Sequence, residues 1–187
     1  MKLPVSTEWA LHCATTLAQL EEGATATAAQ LARYYDLPPA HLAKQLQALV
    51  RADVLTATTG PRGGFRLARP AGEITLLAVV EAVDGTAAPY ECREIRRRGT
   101  GALPAEECLE PCVLARVMAE AHQAWRRHLG GITLADVVAT LPATAPARTR
   151  RRLEATPRSA SRAGAGPPVT RPQSPAAPPG GRGGPAV

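Results

Sequence analysis

Two short strand-like runs meet at a glycine-rich tip near the middle of the chain, and this feature limits the possible folds more than any other. Val54-Leu55-Thr56-Ala57-Thr58 and Phe65-Arg66-Leu67-Ala68 flank Thr59-Gly60-Pro61-Arg62-Gly63-Gly64. β-Branched and apolar runs on either side of a Gly/Pro cluster read as a β-hairpin. The glycines permit the positive φ angles that its tip requires. Two strands alone are marginally stable in water, so the hairpin must lean on helices.

The preceding residues supply them. Residues 5–21 carry Trp9, Cys13, Leu17 and Leu20 at helical spacing, with Ser6 or Thr7 to cap the start and Gly23 to end it. Residues 27–34 form a second helix with Thr27 as N-cap, and Tyr35-Asp36-Leu37 makes a short turn. A third helix, 39–52, has a Pro near its first position, where the missing N–H costs little. Leu42, Leu46, Leu49 and Val50 mark its buried face; His41, Lys44, Gln45 and Gln47 lie towards the other. Two short helices joined by a tight turn, with polar side chains on the second, have the helix-turn-helix layout. Those four residues are candidate base or phosphate contacts, and Arg62 and Arg66 on the hairpin are placed to meet DNA.

Beyond the hairpin, residues 75–84 read as a helix capped by Thr75 and stopped by Gly85. Residues 86–107 are irregular and carry Cys92 and the basic run Arg96-Arg97-Arg98, most often a solvated loop. A long amphipathic helix is expected from Cys108 to His128, with Val113, Val117, Ala121 and Trp125 near one stripe. Gly130-Gly131 ends it, and Thr133 caps a last short helix. With Phe65 as the only Phe, the core is built from Leu, Val, Ile and Ala, and such a helix gains stability by dimerising. The expected fold is mainly α with a small β-hairpin wing: a winged helix-turn-helix with a long dimerisation helix. It divides into a DNA-binding domain, 1–85, and a loop with the dimerisation helix, 86–141.

Residues 142–187 hold 10 of the 18 Pro and eight Arg against a single acid, Glu154, with no aromatic residue. Such a composition predicts a disordered tail. The formal net charge of +6 resides in that tail, because residues 1–141 carry 14 Lys and Arg against 15 Asp and Glu. Local charge is more telling: Arg33, Lys44, Arg51, Arg62, Arg66 and Arg69 face only Asp36 and Asp53 within residues 33–69.

No apolar run approaches the roughly 18–20 residues of a membrane helix, and the N-terminus lacks a signal peptide's apolar stretch, so a cytoplasmic protein is expected. Four Cys in a reducing compartment are more often free, redox-active or metal-bound than paired. No nucleophile–base–acid pattern emerges, and the Gly60–Gly64 stretch lacks the lysine of a phosphate-binding loop, so neither an enzyme nor a small-molecule substrate is expected.

Two pairs of metal-type ligands stand out. Glu8 and His12, at i and i+4, share a helix face; Cys108 and Cys112 would share one only if residues 109–111 are helical. Alone, a Glu–His pair is usually a solvated surface pair. Cys13 points roughly 100° away from His12 and reads as core. Cys92 reads as a further ligand or a spare thiol. Trp9 lies between the two helical candidates, as packing or as a switch.

The run Gly60-Pro61-Arg62-Gly63-Gly64-Phe65-Arg66-Leu67-Ala68-Arg69-Pro70, with Glu73-Ile74-Thr75-Leu76-Leu77, Glu81-Ala82-Val83-Asp84-Gly85 and Ile132-Thr133-Leu134-Ala135-Asp136, closely resembles the wing and linker helix of the Rrf-two family of bacterial regulators, which includes IscR, NsrR and RsrR. The resemblance covers residues 1–141. It implies a winged-helix homodimer that binds double-stranded DNA and, in many members, an iron–sulfur cluster controlling that binding. IscR and NsrR place three closely spaced Cys before the dimerisation helix; here fifteen residues separate Cys92 from Cys108. Glu8-Trp9-Ala10-Leu11-His12-Cys13 and Cys108-Leu109-Glu110-Pro111-Cys112 resemble the RsrR branch instead. That likeness implies a [2Fe–2S] cluster bridging two subunits, held by Cys108 and Cys112 of one and Glu8 and His12 of the other. The alternatives are a three-Cys site of Cys92, Cys108 and Cys112, and a cluster-free or zinc-bound regulator acting through a partner protein.

Overall fold

The computed structural model describes residues 3–60 and 62–158. Three helices come first: α1 (Val5–Ala18), α2 (Ala28–Tyr35) and α3 (Pro39–Arg51). The hairpin β1 (Leu55–Thr58) and β2 (Gly64–Leu67) follows, then α4 (Leu76–Asp84), α5 (Val113–Gly130), α6 (Leu134–Ala139) and α7 (Ala145–Glu154). The architecture is the expected one, mainly helical with a two-stranded antiparallel wing.

Local chemistry sets the helix-turn-helix. The Thr27 hydroxyl accepts from the Gln30 amide at 3.1 Å while Gln30 Oε1 accepts from the Thr27 amide at 3.0 Å. This reciprocal cap satisfies two amides at the start of α2. The helix ends where Asp36 turns left-handed, φ 52°, and the Leu37 amide reaches back to the Ala32 carbonyl at 2.8 Å. Pro38 and Pro39 then start α3. Leu42, Leu46 and Leu49 recur at helical spacing and are fully buried with Leu31, Leu55, Val79, Ile74 and Leu134. Each such side chain contributes roughly 1.5–3 kcal/mol relative to exposure.

The wing is anchored at its base. Ala57 pairs with Phe65 in the hairpin, and Phe65 also bridges to Ala26, ahead of α2. That third strand-like contact requires Gly64: its φ is 148°, and a Cβ there would lie 2.7 Å from the Ala26 carbonyl oxygen.

Three expectations need correction. α1 starts after Pro4, so neither Ser6 nor Thr7 caps it; Thr7 is buried, its hydroxyl without a partner among the described residues. The long helix begins at Val113 rather than Cys108, because Cys112 takes the N-cap position behind Pro111; Cys108 ends a 3-10 turn, Ala105–Cys108.

The third concerns the supposed tail from residue 142. Residues 145–154 form α7, which buries Ala145, Thr149 and Leu153. Composition hid this helix: i, i+4, i+8 spacing places its few apolar groups on one face, and the pocket they enter belongs to distant residues. Gln30 Nε2 donates to the carbonyls of Leu153 and Thr156, and Thr149 Oγ1 donates to Gln19 Oε1 at 2.9 Å. The rest of the supposed tail, from residue 159, lies outside the described residues. Leu153 is 4% exposed within the main core cluster, so Leu153→Ala is expected to destabilise the protein by about 2 kcal/mol in urea unfolding, at the low end for Leu→Ala because α7 can undock. An unchanged unfolding midpoint would mean that α7 adds nothing to the core.

Candidate nucleic-acid interface and metal centre

On α3 the polar residues separate by exposure. His41, Lys44 and Gln47 are exposed, at steps of three, whereas Gln45 is half-buried on the flank. Arg51 continues the exposed row, a residue the sequence reading did not single out as a contact. Arg62 and Arg66 are exposed on the wing, Arg66 opposite Thr56. Helix and hairpin therefore present a cationic, hydrogen-bonding surface suited to phosphate and base edges.

Glu8 and His12 are exposed one turn apart on α1, and between them Trp9 packs half-buried against the core. Cys13 is fully buried, and burial pushes its thiol up to about 12, which fits a core residue. The His12 ring lies 5.6 Å from that of Tyr35. The Tyr35 hydroxyl donates to the His12 carbonyl at 3.2 Å and shares a 2.6 Å hydrogen bond with Thr16. This link between α1 and the end of α2 left no mark in the sequence, because it needs the tertiary crossing.

Cys108 is buried and Cys112 half-buried. The backbone N–H groups of Ala115, then Leu114, at the start of the helix hold the Cys112 thiol below the ordinary range; neighbouring Cys92 and Arg96 add to the effect. A sulfur at a helix N-cap becomes thiolate readily, as metal ligation requires. The loop before it is tied down. Arg96 pairs with Glu94 at 2.6 Å and donates to the Glu110 carbonyl, and Arg97 donates to the Cys108 carbonyl at 3.2 Å. Two members of the basic run therefore brace the cysteine segment instead of standing free in a solvated loop. Cys92 and Tyr90 share the neighbourhood: desolvation, then the Cys92 and Cys112 thiols, raise the Tyr90 phenol. In metal-free protein Cys112 is expected to be the first thiol alkylated as pH rises, with Cys13 untouched while the fold persists. Peptide mapping after limited iodoacetamide treatment checks this, and Cys13 reacting with or ahead of Cys112 would contradict it.

Within one protomer, no three His, Cys, Asp or Glu side chains among the described residues converge to hold a metal ion. The donor chemistry of Cys108, Cys112, Glu8 and His12 suits an iron–sulfur cluster, but one chain does not assemble it. The N-terminal half of α5 is uncovered: Leu114 is 66%, Val117 50% and Met118 41% exposed, at i, i+3 and i+4. Its C-terminal half leans on α4 through the Arg126–Glu81 ion pair, and His122 stacks on Trp125.

Residues 3–140 match the model of the Rrf2 family, described as an iron-dependent transcriptional regulator, the same family as in the sequence resemblance. YwgB of Bacillus subtilis strain 168, described as an HTH-type transcriptional regulator, is 32% identical over 126 residues, 67% of this chain and 76% of that protein. Protein aau3 of Rhizobium meliloti strain 1021 is 35% identical over 115 residues, 60% of this chain and 70% of that protein. Among solved structures, CymR, the global cysteine regulator of B. subtilis, superposes with a TM-score of 0.62 at 18% identity, over 76% of this chain and 99% of that one. The IscR of T. potens superposes with a TM-score of 0.57 at 18% identity, over 76% of this chain and 93% of that one. At these identities the structural likeness speaks for the fold alone.

Proposed function

The chain belongs to the Rrf2 family of transcriptional regulators, and from that premise we propose that it is a homodimeric, redox-responsive regulator in which Cys108 and Cys112 of one protomer and Glu8 and His12 of its partner hold a [2Fe–2S] cluster. In this reading α3 and the wing contact double-stranded DNA through His41, Lys44, Gln45, Gln47, Arg62 and Arg66. The observation that carries it is the separation of the donors. The Cys112 thiol is held below its ordinary range, the carboxylate and imidazole stand exposed on α1, and a single chain does not bring them together. The uncovered apolar row on α5 supports a second copy as the source of the missing donors.

A [2Fe–2S] cluster bound there supplies a one-electron redox change at its protein ligands. The chain's own residues supply the coupling. As ligands, Glu8 and His12 would tether α1, and α1 packs on α3 and α4. Tyr35 ties the backbone of His12 to the end of α2, next to the turn that aims α3. Trp9 packs between the ligand face of α1 and the core, where it would report or transmit a shift of that helix. A differential pull of a few kcal/mol between redox states is enough to move a DNA-competent population by orders of magnitude.

One observation favours a second reading: Cys92 lies beside Cys112, and a three-Cys site would form if Cys108 moved to join them. The test of function is visible absorption of anaerobically purified protein, with DNA binding measured on the same sample when oxidised and when reduced. Coloured protein whose affinity differs between the two states supports redox control. Colourless protein, zinc-bound or metal-free, would instead support regulation through a partner.

A further inference from the structure

We propose that the segment from α7 to Arg158 is a third part of the DNA-contacting surface, in which Arg158 and the wing's Arg62 together take a backbone phosphate at the root of the wing. This rests on the DNA-binding reading and extends it to residues beyond the family match, which ends at residue 140.

The segment is built into the DNA-binding head. Leu153 enters the core, and Gln30 of α2 holds the carbonyls of Leu153 and Thr156. Thr27, the N-cap of α2, donates its hydroxyl to the Arg158 carbonyl at 2.9 Å. These bonds place Arg158 between the start of α2 and the wing. Its guanidinium donates to the Thr25 carbonyl at 3.3 Å, to Thr25 Oγ1 at 2.9 Å and to the Gly63 carbonyl. A guanidinium has five N–H donors, so two remain. Arg158 is exposed and has no carboxylate within ion-pair distance among the described residues, and the same holds for Arg62.

Arg62 and Arg158 line one open cleft, together with Arg150, Glu21 and Glu154. Glu21 is neutralised by Arg150. Two arginines in one cleft, Arg158 held by its hydrogen bonds and Arg62 on the adjoining wing, with a single unpaired carboxylate suit an anion that bridges them. The cleft adjoins both the wing and the start of α2, so the anion that fits is a phosphate of the duplex on which the wing sits. The hydrogen bond from Arg158 to Gly63 also braces the wing, so the same residue positions Arg62.

The experiment uses the full chain and a mixed-sequence duplex of about 30 base pairs, because sequence-independent affinity reports phosphate contacts through its salt dependence. Arg158→Gln is expected to weaken binding several-fold at low salt and to lower the slope of log affinity against log salt by about one unit. Arg158→Lys keeps the charge and is expected to keep the slope. Arg148→Gln, on the other flank of α7, is expected to leave the slope unchanged. A wild-type slope in folded Arg158→Gln overturns the phosphate site, even if affinity falls through a loosened wing. A loss from Arg148→Gln equal to that from Arg158→Gln also overturns it, because the segment would then act by diffuse charge. Lys44→Ala separates the two readings: if it lowers the slope and Arg158→Gln does not, only this site fails. If the wild-type protein shows no salt-dependent binding, both readings fail.

Discussion

Val117→Asp is expected to turn the proposed dimer into a monomer without unfolding the protomer. Val117 lies mid-row on the uncovered face of α5, between Leu114 and Met118, and is already 50% exposed in the single chain, so the protomer fold tolerates a carboxylate there. In the proposed dimer the same position would be buried twice, once per copy. Losing each Val contact costs roughly 1.5 kcal/mol, before the penalty of desolvating two carboxylates. Two copies then amount to at least a 100-fold rise in the dissociation constant, roughly two steps of 1.4 kcal/mol. Sedimentation velocity with circular dichroism checks this, and a variant that stays dimeric at wild-type concentrations would place the interface elsewhere. Cluster content is expected to fall with the dimer, since neither protomer holds the full ligand set.

Cys108→Ala and Cys112→Ala are each expected to abolish the visible absorption of anaerobically purified protein. Each removes one of two thiolates, and at Cys112 also the sulfur that the Leu114 and Ala115 amides stabilise. Neither alanine offers a donor in place of the lost sulfur. Cys92→Ala is expected to keep the absorption, and bleaching by that variant would instead favour the three-Cys site. Glu8→Ala and His12→Ala are expected to shift the spectrum and its pH response rather than erase it, because water can enter at an exposed position on α1.

What the sequence revealed follows the range of the forces involved. The two capped helices, the turn at Asp36 and the glycine-tipped wing were legible because each rests on neighbours within a few residues, such as Thr27 with Gln30. The last short helix was legible for the same reason: Thr133 and Asp136 cap it reciprocally. The start of α5 was misread because the amphipathic pattern continues backwards through Pro111, which signals equally a first helical turn or the residue before a cap. α7 was missed because its composition is that of a disordered segment, while its stability comes from Gln30 and Gln19, more than a hundred residues away in sequence. The metal-type pairs could be picked out as residue types at spacings; the proposed meeting of the two pairs left no such mark, because spacing along one chain says nothing about a site shared with a second copy. Tyr35 and Arg158 gave no local signal, since their partners come from other elements.

Mixing Cys108→Ala chains with His12→Ala chains tests the split ligand set most directly. In a mixed dimer one site gathers both lesions and the other is wild type. After refolding or co-expression, with heterodimers isolated by orthogonal tags, the absorption of one normal cluster per dimer is the expected result, although the Cys108→Ala homodimer is colourless. Heterodimers that remain without a normal cluster would contradict ligands shared between subunits.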